Sequence, residues 1–171
     1  AFIHVSDIMP LDSDGREDRD SQSEVIRDFL HDGKKIVVQV TKDPLGSKGA
    51  RLTTQVSISS RYLVLMPQSD HIGVSQRIED VDERDRLQQM LREAVEAEDM
   101  ADMRGFIIRT AAEGVASEEI RADLRYLKRV WMAVHRRGKA ADRPTLLYED
   151  LALYLRAIRD LSRPGLDRIC I

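Results

Sequence analysis

The segment Gly105–Gly114, which reads GFIIRTAAEG, places an arginine and a threonine directly after a short apolar run. The apolar run predicts a buried strand, with Arg109 and Thr110 at its end. A guanidinium group matches phosphate oxygens in a bidentate manner, and a neighbouring hydroxyl adds a donor. Each charge-assisted hydrogen bond contributes about 1.5–3 kcal/mol, so two or three could select a terminal phosphate over a hydroxyl. A second interpretation stays open, in which Arg109 forms an ion pair with Glu113 or Glu118.

A second group of candidate binding residues lies in residues 34–61, where Asp43 is the single acid. The basic residues of this segment are Lys34, Lys35, Lys42, Lys48, Arg51 and Arg61. Lys42 and Lys48 flank a Pro/Gly turn, which suits contact with a phosphate backbone. An exposed ring such as that of Phe2 could stack on a base, which contributes about 1–3 kcal/mol. In the alternative interpretation the lysines only keep the surface soluble and Phe2 belongs to the core.

No group of residues predicts a hydrolytic centre or a metal site. The histidines lack metal-ligand spacing; they are His4, His31, His71 and His135. The spacing of the carboxylates in residues 12–20 does not match a calcium loop, which needs a glycine and a distal glutamate at fixed positions, so a solvated loop is expected there. The segment Gly46–Gly49 lacks the spacing of a nucleotide-binding loop. We therefore predict no catalytic residue, no metal ligand and no cofactor in this chain.

The first part of the chain is expected to consist mainly of strands, because β-branched and apolar residues are concentrated in short runs. The predicted strands cover Ala1–Val5, Lys34–Lys42, Arg51–Ile58 and Tyr62–Met66. A short helix is expected over Val25–His31, before Asp32 and Gly33.

The second part of the chain mixes strands with longer helices. Strands are expected over His71–Gln76, Gly105–Arg109 and Leu166–Ile171, and helices over Asp82–Val95 and Leu151–Leu161. A further helix is expected to begin at a Ser117 cap and to end at Gly138, because its apolar residues recur at helical spacing. The pattern predicts the α+β fold class. Because the chain would start and stop on strands, it is expected to be part of a longer protein.

The composition limits the possible partners. The 171 residues carry a net charge of −3, so a nucleic-acid site would have to be local and not a global basic field. Cys170 is the single cysteine, which excludes intrachain disulfides and cysteine-rich zinc sites. No apolar run approaches the ~20 residues of a membrane span, and no signal peptide is visible.

Five segments, in this order along the chain, resemble the ribonuclease E/G family. They are KDPLGSKGARLTT (42–54), RYLVLMP (61–67), GVSQRIE (73–79), GFIIRTAAEG (105–114) and DLRYLKRVW (123–131). The resemblance covers nearly the whole chain and is closest to ribonuclease G. Gln76 and Ser60 stand where ribonuclease E has an arginine and a glycine. Both departures are similar to ribonuclease G.

The resemblance implies a chain of three parts. Residues 1–54 would be the later part of an OB-fold RNA-binding domain, a partial β-barrel. Residues 55–150 would be a 5′-sensor subdomain, and residues 151–171 the start of a ribonuclease H-like subdomain. The parent protein would be a cytoplasmic bacterial endoribonuclease that cleaves single-stranded RNA in RNA processing and decay.

The resemblance also implies which residues bind RNA. The positions that hold a 5′ monophosphate in this family match Arg109, Thr110, Val64 and Gln76. The positions that contact RNA in the OB-fold domain match Phe2, Lys42 and Lys48. The implied partner is single-stranded RNA with a 5′ monophosphate.

Other features of the family are expected downstream of Ile171. These are the paired aspartates that bind magnesium and the CPxCxGxG zinc link between protomers, which Cys170 does not match. The chain by itself is therefore expected to cleave nothing. The parent is expected to be a homo-oligomer, and an exposed strand edge would permit a dimer of the chain itself. The alternative function is a non-catalytic OB-like module that docks a protein partner.

Overall fold

The computed structural model describes residues 1–8, 26–100, 103, 105–162, 166–168 and 170. These residues form two small sheets and a set of helices, so the α+β class is confirmed. The acidic loop expected over residues 12–20 lies outside the described residues. No helix of the described part has the length and apolar character needed to cross a membrane.

The first sheet contains three short strands, β1 (Phe2–Ile3), β2 (Gln39–Lys42) and β3 (Arg51–Thr53). β3 lies in the middle, parallel to β1 and antiparallel to β2. A 3-10 turn, Val5–Asp7, follows β1, and a four-residue helix, α1 (Ile26–Phe29), precedes β2. The sheet is open at both edges, and the described residues form no closed barrel.

Two strands of the first part differ from the sequence prediction. Only the last four residues of Lys34–Lys42 pair with a neighbour. The single strand expected over Arg51–Ile58 is wrong, because the chain leaves β3 after Thr53 and enters the other sheet. The carbonyl oxygen of Asp7 accepts hydrogen bonds from the Thr53 hydroxyl at 2.9 Å and from the Thr54 N–H at 2.9 Å. These bonds turn the backbone away from the ladder.

The second sheet contains four strands and has the order β4-β5-β7-β6. The strands are β4 (Ile58–Ser59), β5 (Leu63–Leu65), β6 (Ile72–Val74) and β7 (Phe106–Ile108). β5 is antiparallel to β4 and to β7, whereas β6 is parallel to β7. Gly105 is required at the start of β7, because a Cβ there would lie 2.4 Å from the carbonyl oxygens of Met66 and Ser69.

Three helices accompany the second sheet: α2 (Val81–Ala97), α3 (Ser117–Ala140) and α4 (Leu153–Leu161). The hydrophobic core lies between this sheet and the apolar faces of α2 and α3, as the 3.6-residue spacing predicts. Its most buried large side chains are Phe106, Leu63, Leu65, Ile78, Leu87, Leu91, Met100, Ile108, Ile120, Leu124 and Leu127. The side chains on one face of β5 and β7 are therefore buried in the core. The opposite face is less buried and is available for a binding site.

Both ends of α3 differ from the sequence prediction. The cap residue is Ala116 and not Ser117, and its N–H donates to the Glu119 side chain at 3.2 Å. The helix continues through Gly138 for two more residues and ends at Ala140. The terminal strand is also wrong for residues 166–168 and 170, which form no strand.

Candidate anion-binding site

The predicted phosphate-binding residues come from the three neighbouring strands β5, β7 and β6. Because β6 and β7 are parallel, the residues that follow them lie at the same end of the sheet. The Ser75 N–H donates to the Ile108 carbonyl at 2.8 Å, and Gln76 and Arg109 each come one residue later. The Arg109 N–H donates to the Tyr62 carbonyl at 2.8 Å, so the start of β5 reaches this end as well.

Val64 lies on the sheet face that α2 and α3 leave open. Its neighbours Leu63 and Leu65 are fully buried, whereas Val64 is only partly buried. Val64 pairs with Ile107, which is also partly buried, between the buried residues of β7. Because alternate residues of a strand share a face, Arg109 projects on the same side as Ile107 and Val64.

The Arg109 guanidinium is held by a turn and by a helix. Its Nη1 donates to the carbonyl oxygens of Ser60 and, at 3.1 Å, of Arg61. Its Nη2 donates to Asp160 Oδ2 on α4 at 3.0 Å. The Arg109 side chain stays 30% exposed, so an incoming anion can reach it. The expected pairing with Glu113 or Glu118 is wrong, because the carboxylate partner comes from α4.

Thr110 and Gln76 are both exposed at this end of the sheet. Thr110 begins a 3-10 turn, Thr110–Ala112, directly after Arg109. Gln76 lies in the turn that follows β6. The described residues include no hydrogen bond between Gln76 and Arg109, so the fold brings these residues to one end of the sheet without joining them directly.

The turn formed by residues 60–63, here called the 60–63 turn, is fixed by α3. Asp123 Oδ2 accepts hydrogen bonds from Ser60 Oγ at 2.6 Å, from the Tyr62 N–H at 2.8 Å and from the Leu63 N–H at 3.0 Å. One turn earlier on α3, Glu119 accepts a hydrogen bond from the Tyr62 hydroxyl at 3.1 Å. Burial, followed by this bond, raises the pKa of Tyr62.

Asp160 is shared between two arginines. Arg159 Nε donates to Asp160 Oδ1 at 2.8 Å, and Arg159 Nη1 donates to the Ser59 carbonyl at 3.1 Å. Burial by itself would raise the pKa of Asp160, but the hydrogen bonds from Arg159 and Arg109 outweigh it. The pKa of Asp160 therefore lies below its ordinary value, and the carboxylate is ionised at neutral pH.

Arg61 adds positive charge beside the 60–63 turn. Its guanidinium carbon lies 5.0 Å from the centre of the Tyr62 ring. Its Nε is buried and has no hydrogen-bond acceptor among the described residues. The sheet end thus combines three guanidinium groups, those of Arg61, Arg109 and Arg159, with one carboxylate in direct contact with two of them.

The predicted RNA-contacting residues Phe2 and Lys42 lie on the first sheet, on either side of Arg51. Phe2 on β1 and Lys42 on β2 are both in register with Arg51 on β3. Phe2 is 50% exposed, so its alternative assignment to the core is wrong. Arg51 is in turn paired with Asp7, with Arg51 Nη2 2.8 Å from Asp7 Oδ2.

Lys48 lies at the end of a tight two-residue turn. The N–H of Leu45 donates to the Lys48 carbonyl at 3.1 Å, and the N–H of Lys48 donates to the Leu45 carbonyl at 3.0 Å. Gly46 adopts a φ of +57°, which suits the first central position of a type II′ turn. Lys48 is exposed on this turn and is not in register with Phe2, Arg51 and Lys42.

Sequence reasoning missed Asp160 and Asp123 because their partners are distant along the chain. Asp160 pairs with an arginine 51 residues earlier, and Asp123 holds a turn about 60 residues earlier. The segment DLRYLKRVW contains Asp123, so its presence among the family segments was the one available signal. The described residues include no group of three or more histidine, cysteine or acidic side chains that could hold a metal ion.

Comparison with known proteins identifies the family. Residues 57–171 match the model of the ribonuclease E/G family. The chain is 47% identical to ribonuclease G of Salmonella typhimurium (strain SL1344) and to ribonuclease G of Escherichia coli (strain K12), each over 99% of the chain. It is 41% identical over 85% of its length to ribonuclease E of Haemophilus influenzae.

The match covers only part of each relative. The chain spans 34% of the length of the two ribonuclease G relatives and 15% of that of the ribonuclease E relative. The family match covers about two thirds of the chain and includes four of the five segments; the segment at 42–54 lies before it. The chain belongs to the ribonuclease E/G family.

Proposed function

We propose that this chain is the RNA-binding and 5′-monophosphate-sensing part of a bacterial endoribonuclease that cleaves single-stranded RNA. One observation carries the proposal: the partly exposed guanidinium of Arg109, which already holds an anionic group at the end of β7. The carboxylate of Asp160 has the charge and the planar oxygen pair that an arginine fork recognises, as a phosphate does. Family membership favours this function over a protein-docking module.

In the proposed site a terminal phosphate binds the Arg109 guanidinium and the Thr110 hydroxyl. Gln76, which follows the neighbouring strand, supplies an amide N–H, and Val64 forms the apolar wall on the open face of the sheet. An RNA that begins with a hydroxyl lacks the phosphate oxygens and loses these bonds, each of which contributes about 1.5–3 kcal/mol. The preference for a 5′ monophosphate follows from this difference.

On the first sheet, the exposed Phe2 ring stacks on a base while Lys42 and Lys48 contact phosphates of the RNA backbone. These contacts act on any single-stranded RNA, whatever its 5′ end. These contacts therefore supply affinity for any single-stranded RNA, and the Arg109 site adds the preference for a 5′ monophosphate.

The proposed layout follows the family: an OB-fold portion in residues 1–54, a 5′-sensor subdomain in residues 55–150 and the start of a ribonuclease H-like subdomain in residues 151–171. The passage from the first sheet to the second, between Thr53 and Ile58, supports the first boundary. Cleavage, with paired aspartates that bind magnesium, a zinc link and homo-oligomeric assembly, is proposed for the parent enzyme in a cytoplasmic setting. This chain by itself is proposed to bind RNA without cleaving it.

The proposal is tested by titrating the chain with two oligoribonucleotides of one sequence, with a 5′ monophosphate or a 5′ hydroxyl. We expect the phosphorylated RNA to bind about tenfold or more tightly, because at least one charge-assisted hydrogen bond is added. Arg109→Ala should abolish this preference and leave the salt-sensitive binding of both RNAs. The control is Arg125→Ala, which removes an equal charge from a pair with Glu98 on another surface. Equal affinities of the unsubstituted chain for the two RNAs would contradict the sensor function.

A further inference from the structure

Asp123 binds two consecutive backbone N–H groups of the 60–63 turn. A single carboxylate oxygen accepts both the Tyr62 and the Leu63 N–H, at 2.8 and 3.0 Å, and the Ser60 hydroxyl at 2.6 Å. Successive N–H groups that converge on one anion form a nest, an anion-binding concavity of the backbone. The conformation of this turn therefore depends on a side chain of α3.

The same two peptide units bind Arg109 through their carbonyl groups. The Tyr62 N–H belongs to the peptide whose carbonyl is that of Arg61, and this carbonyl accepts from Arg109 Nη1 at 3.1 Å. The Leu63 N–H belongs to the peptide whose carbonyl is that of Tyr62, which accepts from the Arg109 N–H at 2.8 Å. In a planar trans peptide the N–H and C=O point in opposite directions, so Asp123 on one side aims both carbonyls at Arg109 on the other.

We propose that Asp123 is a positioning residue for the anion-binding site: it holds the 60–63 turn in the one orientation that directs its carbonyl groups toward Arg109. This inference rests on the proposed function, because it assigns Asp123 a role in the selection of a 5′ monophosphate. Asp123 contacts the turn and not the RNA. Its effect reaches the guanidinium through the Arg61 carbonyl and reaches the Arg109 backbone through the Tyr62 carbonyl.

Because Asp123 carries a carboxylate, an electrostatic role and a positioning role predict opposite changes in phosphate affinity when it is replaced by a neutral side chain. A negative charge near an anion site weakens phosphate binding, so a purely electrostatic role predicts that a neutral side chain binds the phosphate more tightly. A positioning role predicts the opposite, because a neutral amide cannot accept all three hydrogen bonds equally well and Arg109 loses its orientation. The two roles therefore move the affinity in opposite directions.

The experiment is Asp123→Asn in the full 171-residue chain, titrated with the 5′-phosphorylated and the 5′-hydroxyl oligoribonucleotide of one sequence. We expect the preference for the phosphate to fall by about three- to tenfold, the cost of one misdirected charge-assisted hydrogen bond, with the affinity for the hydroxyl RNA unchanged. In ¹H–¹⁵N spectra the amide signals of Tyr62 and Leu63 should shift, and the Arg109 side-chain signal should respond less to the phosphorylated RNA.

Glu118→Gln is the matched control, because it neutralises an exposed carboxylate on the same helix that pairs with Arg121 and not with the 60–63 turn. This control should keep the preference within about twofold. An unchanged or increased preference in folded Asp123→Asn would overturn the inference while leaving the sensor function intact. Equal affinities of the unsubstituted chain for the two RNAs would remove the sensor function and this inference together.

A second variant, Ser60→Ala, covers the case in which Asp123→Asn does not fold. It removes a single donor to Asp123 and should show a smaller loss of preference for the phosphorylated RNA. No loss of preference would overturn the inference.

Discussion

At the scale of single residues, the Arg109 guanidinium donates hydrogen bonds to neutral carbonyl groups on one side and to a charged carboxylate on the other. Toward the sheet its Nη1 donates to the carbonyl oxygens of Ser60 and Arg61, which orient the guanidinium without neutralising it. Toward α4 its Nη2 donates to the Asp160 carboxylate, which does neutralise it. In the proposed function a terminal phosphate has to displace that carboxylate. Displacement leaves Asp160 paired with Arg159, so the exchange exposes no unpaired buried charge.

Asp160→Asn should therefore tighten binding of the 5′-phosphorylated RNA by about three- to tenfold, because a neutral amide competes less well for the guanidinium of this partly exposed pair. Titration with the phosphorylated oligoribonucleotide measures the change. Asp150→Asn serves as the control, since it removes one negative charge near Arg156 and Arg159 without contacting Arg109. Equal gains in the two variants would indicate a general charge effect. Weaker binding of Asp160→Asn would mean that Asp160 orients Arg109 and does not compete with the phosphate.

At the scale of elements, local periodicity predicted the framework but not the contacts between distant segments. α2 begins one residue before its predicted start and ends two residues after its predicted end, and the centre of β7 falls within the predicted run, because apolar spacing is a local signal. The split between β3 and β4 could not be predicted, since it depends on the Asp7 carbonyl, which lies about 46 residues earlier. The interpretation that pairs Arg109 with Glu113 or Glu118 is wrong for the same reason, because it rests on acids that are near in sequence, whereas Asp160 is 51 residues away.

α2 is joined to the loop after Arg109 by Glu83, and this contact makes stability depend on pH. The Glu83 carboxylate accepts hydrogen bonds from Arg86 at 2.6 and 2.7 Å and from the Gly114 N–H at 2.8 Å. The bonds from Arg86, followed by that from Gly114, lower the pKa of Glu83 from 4.5 to about 2. Because the folded state favours the ionised form, this stabilisation is complete above pH 4.5 and is lost as the pH falls toward 2.

Glu83→Gln should lower the free energy of unfolding near neutral pH by about 1 kcal/mol, a value reduced for the exposure of Arg86 to solvent. The difference from the unsubstituted chain should shrink as the pH falls from 4.5 to about 2, where the native carboxyl becomes protonated as well. Urea unfolding at a series of pH values measures this difference. Glu93→Gln, on the same helix and bonded to Gln89, is the control. If the difference in free energy of unfolding stays constant over this pH range, the stabilisation by Glu83 does not depend on the ionisation of its carboxylate.

At the scale of the whole molecule, the proposed RNA contacts divide between two sheets with different properties. The second sheet packs against the core and has a site in which Arg109 and Arg159 are both paired with Asp160. The first sheet has few buried side chains and exposes Phe2, Lys42 and Lys48. Exposed lysines contact phosphates without distinguishing their position in the RNA, so the first sheet should supply affinity and the second should supply selection.

This division predicts that charge removal on the first sheet changes affinity without changing preference. The double variant Lys42→Ala and Lys48→Ala should bind both RNAs more weakly, and the slope of log K against log salt should become shallower by about 1.4, or 0.7 for each lost phosphate contact on a single strand. The ratio of affinities for the 5′-phosphorylated and 5′-hydroxyl RNAs should stay the same, because the Arg109 site is unaltered. The control is Lys128→Ala with Lys139→Ala, which removes the same charge from α3. A slope equal to that of the unsubstituted chain would contradict the RNA contacts of the first sheet, whereas a changed ratio would contradict the division between affinity and selection.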